Sequence, residues 1–131
     1  MPLFAWVAVG SAIGGVLRFA LGTLIQQKTG STFPVGTLAI NVSGSLALGF
    51  LVRYTLATPA IGPEVRALLT AGLCGGYTTF STFSYESVAL LEEGDYQRAA
   101  WYVGLSVGLS LAATLIGTAL ARELLDLRRR L

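Results

Sequence analysis

The chain has no histidine and a single cysteine, Cys74. The first absence removes histidine-dependent catalytic triads and zinc patterns, and the second removes an intrachain disulfide. Charge is scarce as well: Asp, Glu, Lys and Arg make up 12% of the residues, about half the share of a soluble domain. The net charge is only +2 and the basic residues are spread along the chain, so nucleic acid is not an expected partner. Most enzyme chemistry is excluded by the same shortage of nucleophile, base and metal-ligand clusters, and the chain does not read as an enzyme.

What is abundant is apolar sequence: 53% of the 131 residues are hydrophobic, and the mean hydropathy is +0.68. Long uncharged runs extend from Met1 to Leu17 and past Arg18 to Gln27, from Thr29 to Val52, from Ala67 to Tyr85 and from Ala99 to Ala121. A bilayer crossing takes about 20 residues, so each run suffices. The expected fold class is an all-α membrane protein with four transmembrane helices, near residues 3–27, 34–56, 64–91 and 97–125, forming one transmembrane domain over residues 1–131. Membrane lipid is therefore an expected partner and the plasma membrane the expected location. A cleaved signal peptide is disfavoured for the first run, because Met1-Pro2-Leu3-Phe4 carries no lysine or arginine.

Orientation is weakly specified. Arg53, Arg66, Arg122 and Arg128 to Arg130 fall on the side of the termini, while Lys28, Arg98 and the borderline Arg18 fall on the other. The bias favours cytoplasmic termini, but most of it comes from the C-terminal segment.

Small and polar residues punctuate the apolar runs. Gly10, Gly14 and Arg18 share one face of the first helix, the glycines suiting close helix packing and the arginine either snorkelling or attracting anions at a pore mouth. Thr37, Asn41, Ser45 and Gly49 recur every four residues along the second. The Asn41 amide cannot be satisfied by lipid and requires a helix, water or a solute. Asn41-Val42-Ser43 also matches a glycosylation sequon, which burial in a span makes inaccessible.

The third run holds Gly72-Leu73-Cys74-Gly75-Gly76-Tyr77-Thr78-Thr79-Phe80-Ser81-Thr82-Phe83-Ser84, without a charge. Glycines weaken a helix by roughly 1 kcal/mol each and the hydroxyls are helix-start residues, so a helix interrupted and restarted is expected, with Gly75 to Thr78 unwound. Carbonyls released by such a break suit a monovalent cation. A phosphate cradle is ruled out, since no Gly-Lys-Ser/Thr follows. Phe80 and Phe83 share a face at i, i+3, where positive ring edges attract an anion weakly, and Glu86 is expected to continue that face. In the fourth helix Tyr102, Ser106 and Ser110 form a polar stripe, with Gly104 and Gly108 as an expected packing seam.

Taken together, Gly14-Gly15-Val16-Leu17-Arg18, Gly36-Thr37-Leu38-Ala39-Ile40-Asn41 and Gly75 to Ser84 resemble the Fluc (CrcB) fluoride channels, over nearly the whole chain. The resemblance implies an antiparallel, dual-topology homodimer with two fluoride pores and passive export of fluoride. It also implies a structural sodium ion at the dimer centre, held by backbone carbonyls of Gly75 and Thr78. Phe80, Phe83, Asn41, Thr79, Tyr102, Ser106 and Ser110 would line each pore, with Arg18 and Glu86 in a vestibule. Two other readings compete. A small four-helix drug/proton antiporter would need a membrane-embedded acid, for which Glu86 is the only candidate. A non-transporting assembly subunit would leave Asn41, Phe80 and Phe83 replaceable.

Overall fold

The structure is a computed structural model and describes residues 2–131; Met1, counted in the first apolar run, lies outside them. It is helical from end to end. Helix α1 covers Leu3–Thr29 and α2 Val35–Leu56, followed by the short α3 at Pro63–Ala67, a π-helical stretch at Leu68–Cys74 and α4 at Gly75–Tyr77. Helix α5 then covers Phe80–Glu92 and α6 Tyr96–Arg130. Helices α1, α2 and α6 are each long and apolar enough to cross a bilayer. The third apolar run is instead divided among α3, the π-helical stretch, α4 and α5.

The division falls at Thr78 and Thr79, both extended, with φ/ψ of −83°/158° and −148°/114°. This differs from the expected unwinding at Gly75 to Thr78, because Gly75 is helical (φ −63°, ψ −38°) and the helix persists to Tyr77. The physical reason lies in packing. A Cβ on Gly76 would collide with the backbone of Ser11, and one on Gly14 with the carbonyl of Leu73, so these glycines bring α1 against α4 and the π-helical stretch rather than loosening the chain. The β-branched threonines that follow favour extended backbone, and Thr79 then caps α5 by accepting from the Thr82 amide at 3.1 Å.

Helices α2 and α6 run parallel. Thr114 Oγ1 donates to the Ser45 carbonyl at 3.3 Å and Thr118 Oγ1 to the Gly49 carbonyl at 3.4 Å, while Arg128 Nη1 donates to the Tyr54 hydroxyl further along. The seam between them is made by Gly49 and Gly117, each close against the partner's backbone. Gly104 and Gly108, the expected seam, meet nothing within 4 Å in this chain. They lie on the opposite side of α6 from the residues that it buries, Ser106, Ala113, Gly117 and Ala121.

Candidate functional site

Asn41 ties α2 to the break. Its Oδ1 accepts from the Thr79 amide at 2.8 Å and its Nδ2 donates to the Thr79 carbonyl at 3.1 Å, so one side chain satisfies both backbone groups of an extended residue. The close approach depends on Gly44, one turn along α2, where a Cβ would run into Thr78 and the Tyr77 ring. Only one N–H of the Asn41 amide is left for any other partner.

Two cavities meet at this clamp. The smaller, of about 300 Å³, lies between α2, α5 and α6 and is lined by Asn41, Ser45, Thr78, Thr79, Phe80, Phe83, Ser106 and Ser110, with Leu48, Val107 and Leu111. No charged residue borders it. Phe80 is 79% exposed and Phe83 half-buried, their ring centroids 5.6 Å apart. The Ser106 hydroxyl is buried and finds no hydrogen-bond partner among the described residues. A buried unpaired hydroxyl costs free energy, so a donor on a residue lining a cavity and without a protein acceptor marks a place for a solute or water.

Six of the seven residues that the resemblance assigns to a pore border this cavity; Tyr102 does not. It is fully buried behind Phe83, ring centroids 5.3 Å apart, and meets Phe33 edge-on at 5.6 Å. Tyr102 therefore sets the position of Phe83 rather than touching the cavity space. Its hydroxyl, like that of Ser106, has no partner among the described residues.

The larger cavity, about 530 Å³, lies between α1, α2 and α5, and its lining includes Arg18, Gln26, Thr37, Thr79, Thr82 and Glu86. Arg18 Nε donates to the Gly76 carbonyl at 3.2 Å, placing a cation at the C-terminal end of α4, where the helix dipole favours one. Glu86 Oε1 accepts from Thr37 Oγ1 at 2.5 Å. Glu86 thus departs from the expected face: it shares the side of Thr79 and Thr82 and looks away from the phenylalanine cavity. At i+3 and i+6 from Phe83 and Phe80, its angular drift around α5 carries it toward Thr82, its i−4 neighbour.

Gln26 was not singled out by the sequence pattern. Its Nε2 donates to the carbonyls of Ser31 at 2.7 Å and Phe33 at 3.0 Å, and its Oε1 accepts from the Gly36 amide at 2.9 Å. It thereby ties the α1–α2 connection to the start of α2, whose Pro34 supplies no side-chain cap. A lone glutamine in a polar loop carries no spacing signal. Thr37 and Ser45 did: both belong to the every-fourth-residue stripe, which the structure divides between the two cavities.

The carbonyls read as cation ligands can be tested on the hydrogen-bond pattern. The Thr79 amide, the helical partner of the Gly75 carbonyl, goes to Asn41, and the Thr82 amide, the partner of the Thr78 carbonyl, goes to Thr79 Oγ1. Both carbonyls are released by the break, Gly75 is exposed, and hard oxygen donors suit a hard cation. The residues fit the group.

These features define a polytopic helical membrane protein with an uncharged, hydroxyl- and phenyl-lined cavity beside a helix break. Comparison with known sequences narrows the class. The profile of the family described as "CrcB-like protein, Camphor Resistance (CrcB)" matches residues 5–118. A protein of Rhizobium meliloti (strain 1021) named "Fluoride-specific ion channel FluC" is 44% identical over 118 residues, 90% of this chain and 94% of its own. One of the same name from Aquifex aeolicus (strain VF5) is 45% identical over 119 residues, 90% of this chain and 95% of its own. Another, from Methylococcus capsulatus (strain ATCC 33009 / NCIMB 11132 / Bath), is 48% identical over 124 residues but is matched over 54% of its length. The chain belongs to the CrcB family and is a multi-pass protein of the plasma membrane.

Proposed function

We propose that this chain is one subunit of a fluoride-selective channel that lets fluoride leave the cell passively. The observation that carries the reading is the convergence of Asn41, Phe80, Phe83, Ser106 and Ser110 on one cavity without a charge. Fluoride is small and strongly hydrated, so its dehydration must be offset by donors. The unpaired Ser106 hydroxyl and the remaining Asn41 N–H are donors, and the ring edges of Phe80 and Phe83 add weak attraction. Neutral groups hold an anion loosely enough to release it, which conduction requires, whereas a paired arginine would trap it. Arg18, at the larger cavity, then acts by concentrating anions at the entrance. The names of the relatives support the choice of ion.

The working assembly on this reading is an antiparallel, dual-topology homodimer with two pores. Support comes from the isolated subunit: Gly75 is exposed with a released carbonyl, and an unsatisfied backbone group does not face lipid. A second copy would cover it, and the Gly75 and Thr78 carbonyls are the groups that would hold a sodium ion. When bound, the ion would contribute structurally, offsetting the partial negative charge of carbonyls at a helix end. The Asn41 clamp keeps the Gly75 carbonyl free by occupying the Thr79 amide, and Thr79 Oγ1 does the same for the Thr78 carbonyl by occupying the Thr82 amide.

The test is fluoride efflux from liposomes for the wild type beside Phe80→Ile and Phe83→Ile, with dimer size measured by gel filtration. Electrogenic fluoride flux in the wild type, lost in the variants while the dimer persists, is expected. Wild-type protein that carries no fluoride, or carries chloride equally well, overturns the reading.

A further inference from the structure

The two ends of the molecule carry opposite charge, and the basic end has a built geometry. Three arginines converge on the last turn of α2: Arg53 lies in it, Arg66 Nη2 donates to the Thr55 carbonyl at 3.3 Å, and Arg128 Nη1 donates to the Tyr54 hydroxyl. Arg122, Arg129 and Arg130 add three more from α6, and all but Arg66 are exposed. Against these six stand Glu64, Glu123 and Asp126, leaving +3 in side-chain charge. At the other end Lys28 and Arg98 face Glu92, Glu93 and Asp95, leaving −1.

The length of α6 fixes where the basic end sits. Its 35 residues extend about 52 Å at 1.5 Å per residue, well beyond a hydrocarbon core of about 30 Å. The last buried residue of α6 is Ala121, and every α6 arginine of this end follows it, interleaved with exposed Leu124, Leu127 and Leu131. Leucines interleaved with arginines just beyond a span suit the membrane–water boundary, where apolar side chains reach toward the acyl region and guanidinium groups reach lipid phosphates.

We infer that the end of the molecule formed by Arg53, Arg66, Arg122 and Arg128 to Arg130 is a binding surface for anionic lipid headgroups. Clustered arginines immediately beyond a transmembrane helix attract such lipids by roughly 1 kcal/mol per charge near the surface, about a fivefold local enrichment each. Planar guanidinium groups also pair bidentately with phosphate. The Tyr54 hydroxyl and the Thr55 carbonyl hold two of the arginines at α2, so the cluster is ordered before lipid arrives. The inference does not depend on which ion the protein carries.

Two tryptophans provide the test. Trp6 lies one turn from Gly10, which abuts Leu68 just after Arg66, and so marks the basic end; Trp101 lies in the second turn of α6 and marks the acidic end. Full-length protein with Trp101→Phe or Trp6→Phe is reconstituted in phosphatidylcholine vesicles containing brominated phosphatidylglycerol or, as the control, brominated phosphatidylcholine. Bromine quenches the fluorescence of nearby indoles. Quenching of Trp6 by the brominated anionic lipid is expected to exceed the control at least twofold, to fall toward it in 1 M salt, and to be lost in the Arg128→Gln/Arg129→Gln/Arg130→Gln variant. Trp101 is expected to show no such excess. Equal quenching of Trp6 by both lipids overturns the inference, as does an excess that survives replacement of the arginines or appears equally at Trp101. Unchanged gel-filtration size and far-ultraviolet circular dichroism confirm that each variant is folded.

Discussion

Asn41 and Thr79 are joined by two hydrogen bonds of 2.8 and 3.1 Å that together occupy the amide and the carbonyl of Thr79. The side chain does for an extended residue what a neighbouring strand does in a sheet. Both bonds are part-buried, and a buried backbone group left unpaired costs about 1–3 kcal/mol. Asn41→Leu, of similar size but without polar atoms, is expected to destabilise the protein by about 2–5 kcal/mol and to abolish fluoride efflux. Thermal unfolding in detergent and liposome efflux check the two effects. Unchanged stability would show that the clamp is not needed to hold the break.

Ser106 is expected to separate stability from conduction. Its hydroxyl has no partner among the described residues, so Ser106→Ala removes an unpaired polar group and leaves the melting temperature unchanged or raised. Flux is expected to fall by about tenfold or more, because a hydrogen bond to a charged species is worth about 1.5–3 kcal/mol. Efflux rates and melting curves on the same preparation decide it.

Gly44 and Gly104 provide a paired comparison. A Cβ at Gly44 meets Thr78 and Tyr77, whereas one at Gly104 meets nothing in the chain. Gly44→Ala is expected to cost about 1–3 kcal/mol by forcing α2 away from the break. In a monomeric state, held dissociated by detergent, Gly104→Ala is expected to be neutral or to stabilise α6 by up to about 1 kcal/mol through helix propensity. Circular dichroism melts of the two variants under those conditions make the comparison.

Gln26→Leu discards three hydrogen bonds at the α1–α2 connection. At about 0.5–1.5 kcal/mol each, a loss of about 2–4 kcal/mol is expected. Hydrogen exchange should accelerate at the Gly36 amide first, since that group loses its direct acceptor.

Glu86→Gln keeps an oxygen that can accept from Thr37 and removes the carboxylate. Passive fluoride flux is expected to persist, and no dependence on a proton gradient is expected in either form. Flux that requires a proton gradient in the wild type and vanishes in Glu86→Gln would instead favour the antiporter reading.

Much of the helical layout was legible in the sequence because apolar run length is a strong constraint: α1, α2 and α6 fall within a few residues of the expected spans. The exceptions are instructive. Glycines 75 and 76 read as breakers, yet both are helical; α1 packs so closely on Gly76 that its missing side chain serves contact, and the chain opens at Thr78 and Thr79. Gly104 and Gly108 read as a packing seam and meet nothing within 4 Å in this chain; spacing alone does not say which partner a small face meets. For the cavity, residue type and periodicity identified Asn41, Phe80, Phe83, Ser106 and Ser110. They did not indicate that Asn41 spends one N–H and its carbonyl oxygen on Thr79, that Tyr102 stands behind Phe83, or that Glu86 turns to the other cavity. Those facts depend on the rotation of α5 after the break, which no local pattern encodes.

Thr79 borders both cavities, so the two chambers adjoin at that residue. On the channel reading, an ion passing at that point requires only that the Thr79 side chain leave its cap on α5 and rotate, a motion of picoseconds to nanoseconds for a free side chain, with no need to move a helix or unfold a segment. Conduction should accordingly show the shallow temperature dependence of ions diffusing in water, and cooling should slow it only as much as it slows the solvent.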